Sequence, residues 1–139
     1  MAQPVLLAFD YDPLWHGRAP VTSTEVITKG DLVDITASGY IYKMDAKTDD
    51  ATFVGAALDS SASGETDYVA FSPKCILEID VADASYRIGN GLRYTSANTL
   101  VDDGGSNTIC WAYKNTTSAT RIPVLIDAPK LHKKFEVNA

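Results

Sequence analysis

The residues able to carry chemistry are few and far apart. His16 and His132 stand near opposite ends of the 139-residue chain, and Cys75 and Cys110 are its two thiols. A zinc site needs ligands at short spacings such as H-E-x-x-H or C-x-x-C, and the chain has neither. A thiol nucleophile needs a base beside it, but no histidine falls between His16 and His132. Cys75 and Cys110 therefore read as small apolar residues of a core. The turns at residues 47–50 (KTDD) and 102–107 (DDGGSN) offer carboxylates, yet lack the spaced oxygens and closing glutamate of a calcium loop. Residues 89–91 (GNG) lack the third glycine and following helix of a dinucleotide fingerprint, and read as a turn. Asn115 opens an N-T-T glycosylation triplet, but nothing else in the chain suggests secretion. The expectation is a protein with no catalytic residues, no metal and no cofactor.

Composition narrows the partners. Hydrophobic residues make up 45% of the chain and charged residues 22%, ordinary values for one globular domain able to bury a core. The net charge of −6 argues against binding a row of phosphates, so nucleic acid is not an expected ligand. It argues equally against an anionic membrane surface, and no apolar run reaches the length of a membrane span. The start MAQPVLLAFDYDPLWHG has no basic residues before its short apolar run VLLAF, so it does not read as a secretory signal. Two cysteines are too few for a disulfide framework and fit free thiols in a reducing cytoplasm where the protein folds.

The elements that would hold any site are strands. Residues 1–20 carry Pro4, Pro13 and Pro20, which fix φ and remove donors, so this stretch reads as an extended N-terminal arm. From Val21 to Asp127 the chain alternates apolar and polar residues in short runs: VTSTEVIT, DLVDIT, YIYKM, TFVGAAL, YVAF, CILEIDV, GLRYT, NTLV, TICWAY and RIPVLID. These are rich in Val, Ile, Thr and Tyr and are separated by ASG, SASG, GNG and DDGGSN, the pattern of an all-β sandwich or barrel. A single helical turn is expected near VADASY, residues 81–86. The reading is an all-β body over residues 21–127, between the arm and a C-terminal tail at 128–139.

The body also repeats itself. GDLVDITASGYIY (residues 30–42) lies over GNGLRYTSANTLV (89–101) at an offset of 59, matching Val33 to Leu92, Ile35 to Tyr94, Ile41 to Leu100 and Gly39 to Asn98. Both Gly and Asn tolerate left-handed backbone before a turn. Residues 53–70 then cover 109–126 at an offset of 56. Few identities support this, so a duplication and two generic meanders both remain open. In either case each half reads as hairpin, strand, Ser/Thr-rich loop, strand.

The runs KGDLV, SGYIY, FVGAAL and YVAF, followed by YRIGNGLRY and TICWAY, resemble the capsid decoration, or cement, proteins of tailed bacteriophages. The similarity spans roughly residues 21–127, and the departure is Trp111, where the family pattern expects a small residue. The resemblance implies a non-enzymatic homotrimer on the outer surface of a phage capsid, clamping neighbouring subunits of the major capsid protein. The alternative is a carbohydrate- or surface-binding β-sandwich, for which Tyr40 and Tyr42 on one strand face are the sole sign. The arm carries Val5, Leu6, Leu7, Phe9, Tyr11, Leu14 and Trp15, a large apolar load to leave in water. It either packs on its own body or, as the resemblance favours, docks on the capsid or a sister subunit, with Trp15 as the anchor. Lys130, Lys133 and Lys134 make the tail basic, either as a solvated end or as a match for an acidic patch.

Overall fold

A computed structural model gives the fold. The structure describes residues 3–9, 17–22, 25–36, 38–44, 53–62, 68–96, 98–102 and 108–127, and these form eleven strands and no helix. The strands are β1 (Val5–Phe9), β2 (Gly17–Pro20), β3 (Leu32–Ile35), β4 (Ile41–Lys43), β5 (Phe53–Ala57) and β6 (Tyr68–Ser72). They continue with β7 (Lys74–Tyr86), β8 (Gly91–Ser96), β9 (Thr99–Asp102), β10 (Cys110–Ala112) and β11 (Thr116–Asp127).

Two sheets hold them, in one repeated order. The first runs β2-β6-β5-β3-β4; the second runs β7-β11-β10-β8-β9, with β1 added outside β7. In the second sheet, β9 returns to pair in parallel with β7 through Asp80–Thr99 and Val81–Leu100, which closes a five-stranded barrel. The first sheet closes at the matching place by one parallel bridge, Val21 with Ile41. Closure removes the free edges that an open sheet would present.

The pairings show the two halves to be a structural repeat. Val33–Lys43, Asp34–Tyr42 and Ile35–Ile41 in the first hairpin become Leu92–Asp102, Arg93–Val101 and Tyr94–Leu100 in the second, at an offset of 59 throughout. The turns before the hairpins agree bond for bond. Gly30 N–H donates to Ala57 O and Ala57 N–H to Asp31 O; Gly89 N–H donates to Ala112 O and Ala112 N–H to Asn90 O. Asp31 and Asn90 each accept the N–H of the residue three before them, Thr28 and Arg87, at 2.8 Å.

Beyond the hairpins the offset of 56 is corrected. Gly55 opposite Val33 corresponds to Cys110 opposite Leu92, an offset of 55. A bulge in β5 inserts one residue, since Val33 pairs with Gly55 but Asp34 with Phe53. The last strands stand 53 apart, because Ala19–Val69 corresponds to Ile79–Ile122. The same register sets Trp111 over Ala56 rather than over Gly55, so the strand that carries Trp111 needs no glycine. At the bulge Gly55 has φ +126°, and a Cβ there would stand 1.9 Å from the Ser72 carbonyl oxygen.

Period two decides what is buried. Along β7, Cys75, Leu77, Ile79 and Val81 face inward, and along β11 Ile122, Val124 and Ile126 do so. They join residues of the first unit in one continuous core. β5 is buried along its whole length because it lies against β7 and β11 of the other unit. Each large aliphatic chain buried there contributes about 1.5–3 kcal/mol.

Two expectations fail. The stretch 81–86 is no helical turn but the continuation of β7, held by β11 through Ala84–Ala119 and Tyr86–Thr116. VTSTEVIT forms no strand among its described residues, which carry bridges only at Val21 and Ile27. There Glu25 N–H turns back to Thr22 O, and Glu25 Oε1 accepts the Lys43 N–H at 3.0 Å.

The units are also joined by polar bonds. Asn98, at the β8–β9 tip, is buried with φ +52° and spans the turn that opens β3. Its Nδ2 donates to Asp31 Oδ1 at 3.0 Å, and its Oδ1 accepts the Leu32 N–H at 3.3 Å. The Tyr94 hydroxyl donates to the Met44 carbonyl, again from the second unit to the first.

Two substitutions test this frame by denaturant unfolding. Gly55→Ala is expected to cost more than about 2 kcal/mol, because it adds a left-handed strain to a backbone clash. Asn98→Gly keeps the backbone free to turn but takes one donor from the buried Asp31 carboxylate and the acceptor from the Leu32 N–H, and is expected to cost about 1–3 kcal/mol.

Candidate interaction surface

The groups that could do chemistry are dispersed or sealed. Cys75 and Cys110 are both buried and free. Both sit opposite Ile126, one on each side of β11, so two strand spacings separate them. At roughly 9–10 Å their backbones are too far apart for a disulfide. Burial pushes the Cys75 thiol up to about 12, with a hydrogen bond to Ser72 pulling the other way. Burial raises the Cys110 thiol as well, and Cys75 adds to the shift. Neither can supply a thiolate near neutral pH. His16, His132, residues 47–50 and most of 102–107 lie outside the described residues. Among the described residues no three metal-ligating side chains come together.

What the surface does offer is apolar. The described parts of the arm are extended, and they are strands of the body. β1 pairs antiparallel with β7, Val5 opposite Glu78 and Phe9 opposite Cys75, and β2 is a strand of the first sheet. Leu6 packs against the core, while Val5 and Leu7 on the other face are exposed by 51% and 50%. β1 has β7 on one side and no strand on the other among the described residues, so it forms the outer edge of its sheet. Tyr11, Leu14 and Trp15, and the side chain of Phe9, lie outside the described residues, as does the tail at 128–139.

Arg121 holds this edge in place. Its Nη1 meets Asp80 Oδ1 at 2.8 Å, its Nε meets Glu78 Oε1 at 3.1 Å, and its Nη2 donates to the Gln3 carbonyl at 2.7 Å. Burial disfavours the charge of Arg121, but the bonds to Asp80 and Glu78 outweigh that and hold its pKa above the ordinary value. The guanidinium so ties Gln3, two residues before β1, to two strands of the barrel. Gln3 Nε2 donates to Asp31 Oδ1 at 2.8 Å, which fastens the same segment to the first unit.

Three further residues are exposed; the sequence had pointed to Tyr40, but not to Ile88 or Tyr113. Tyr40, Ile88 and Tyr113 stand in turns at 41%, 64% and 50% exposure. Tyr42, expected to share a face with Tyr40, is half-buried. The repeat could have exposed the pattern, since Tyr40 replaces Thr99 and Ile88 replaces Lys29 at the offset of 59.

No family model matches the chain, and no curated protein matches it. A solved structure does: the N base of head fiber gp8.5 of bacteriophage phi29 has a similar fold, with a TM-score of 0.54 and 12% sequence identity. The match covers 81% of this chain and 95% of the phi29 chain.

The thiols give a clean test of the closed core. A water-soluble thiol reagent at pH 8 should label neither cysteine until the protein unfolds. A folded-state pKa raised above the unfolded value stabilises the fold at low pH. The stabilisation from Cys75 is thus complete below about pH 9 and is lost as pH rises towards about 12. Cys75→Ala should flatten that alkaline fall in stability.

Proposed function

We propose that this protein is a non-enzymatic structural component of a phage virion. On this reading it folds in the host cytoplasm, assembles as a homotrimer on the outer surface of the capsid, and clamps neighbouring major capsid subunits. The observation that carries the reading is the fold shared with a phage head fibre base, over most of both chains. The resemblance of KGDLV, SGYIY, FVGAAL and TICWAY to decoration proteins supports it from the sequence. So does the construction of the body. Two closed barrels with one core resist shear and leave several apolar residues exposed in turns and along the β1 edge, where a partner can reach them.

The capsid contact is assigned to the β1 edge. Val5 and Leu7 project from an outermost strand, and an edge strand can receive an extended segment of another chain through its free backbone groups. Trp15, a few residues on, is the expected anchor, because buried tryptophans dominate many interfaces. No nucleic acid and no membrane enters this reading.

The experiment is reconstitution on purified, undecorated heads. Val5→Glu with Leu7→Glu alters side chains that face away from the core, so melting should stay unchanged while head binding falls. Trp15→Ala should weaken binding by about thirty-fold or more, which corresponds to about 2 kcal/mol. Unchanged occupancy for both variants would remove this edge as the anchor. A wild-type protein that ignores heads but binds a glycan array would point to the carbohydrate-binding alternative.

A further inference from the structure

The contact between the two units has a counterpart that the chain itself leaves open. Inside the molecule the tip of the second hairpin, at Asn98, sits on the turn of the first unit at residues 28–32. By the register of the repeat, the first unit owns a tip at residues 38–40 and the second owns a turn at residues 87–91. The two turns are built alike. Gly30 and Gly89 have φ of +95° and +90°, and Asp31 and Asn90 cap them with the same 2.8 Å bond. Even the next bond repeats: Lys29 N–H donates to Ser60 Oγ and Ile88 N–H to Asn115 Oδ1, both at 2.9 Å. Yet the second tip is buried on a turn while the first is not. Among the described residues, chain neighbours aside, no atom lies within 4 Å of where a Cβ would stand on Gly39, nor of the same point on Gly89.

The side chains change in step with this difference. Asn98, which makes the internal bonds, is replaced at the free tip by Gly39, and Thr99 beside it by the exposed Tyr40. At the free turn Lys29 is replaced by Ile88 and Leu58 by Tyr113, both exposed. Tyr40, Ile88 and Tyr113 are three of the seven large apolar side chains that stand exposed among the described residues. Large apolar groups thus flank the tip and the turn that make no such contact among the described residues, where burial would reward a partner.

We propose that the tip at residues 38–40 of one copy docks on the turn at residues 88–90, with Tyr113, of the next copy. The occupant of each surface is a second copy of this chain, and the contact between copies follows the contact between units with apolar chemistry in place of Asn98 and Asp31. This rests on the reading that the protein works as an oligomer, and gives that oligomer its interface. Tip and turn are different surfaces, so the contact is head-to-tail and must close into a ring to stay finite.

A mixing experiment tests it. One variant, Tyr40→Glu, loses the tip and keeps the turn; another, Ile88→Glu with Tyr113→Glu, loses the turn and keeps the tip. Sedimentation equilibrium should show an oligomer for the wild-type protein and a monomer for each variant, with circular dichroism and melting unchanged. Mixed in equal amounts, the variants should form a species of twice the monomer mass and nothing larger, because one good tip and one good turn make one contact. Variants that keep the wild-type mass, or a mixture that stays monomeric, would overturn the proposed contact while leaving an oligomeric reading intact. A wild-type chain that is monomeric both free and on heads would overturn both.

Discussion

The carboxylate of Asp31 is the group on which the assembly of this fold depends. It is 1% exposed, and a charge taken out of water is costly unless it is met by donors. Here the donors come from four places. Thr28 N–H closes the turn beneath it, Gln3 Nε2 arrives from the N-terminal segment, and Asn98 Nδ2 arrives from the second unit. The Lys43 ammonium stands 3.8 Å away. One side chain therefore fixes the relative position of the two barrels and of the strand that edges them. Removing any donor leaves the charge short of partners, so the contacts support one another rather than adding independently.

Duplication explains why such a group is available. A turn that needs an Asx cap to complete itself occurs in each unit, as Asp31 and as Asn90. In the first unit the capping oxygen Oδ2 holds the turn, which leaves Oδ1 to receive Gln3 and Asn98. The second unit has no charge at this position, and its turn is flanked by Ile88 and Tyr113 instead. One local geometry is thus specialised twice, once for a polar contact within the chain and once as an apolar turn at the surface.

Much of this was legible in the sequence, for physical reasons that can be named. Alternation gave the fold class because the long strands have one wet face and one dry face, and Cys75, Leu77, Ile79 and Val81 show it plainly. The hairpin repeat was legible because its turn admits few residues, so Gly39 and Asn98 fell into line at the offset of 59. The later offsets were misread because a single bulge at Gly55 and a change of loop length leave little trace in residue type. The strand at 81–86 was misread because Ala82, Asp83 and Ser85 break the run of large apolar residues; pairing with β11, and with β9 at Val81, makes it a strand. The link from Asp31 to Asn98 was invisible, because two polar residues in separate turns read as solvated ones. The arm was legible as extended, but not as two strands of the body, since β1 alternates against a partner far along the chain.

The Asp31–Asn98 contact locks the two barrels into one body. The most direct measurement is native-state hydrogen exchange of the Leu32 amide, whose N–H is held by Asn98 Oδ1. In a locked body Leu32 exchanges only as fast as the core amides of Leu77 and Leu92, through global unfolding, because the contact must break for it to open. Exchange of Leu32 orders of magnitude faster than those amides, in an otherwise protected protein, would mean that the units separate in the folded state and would contradict the claim.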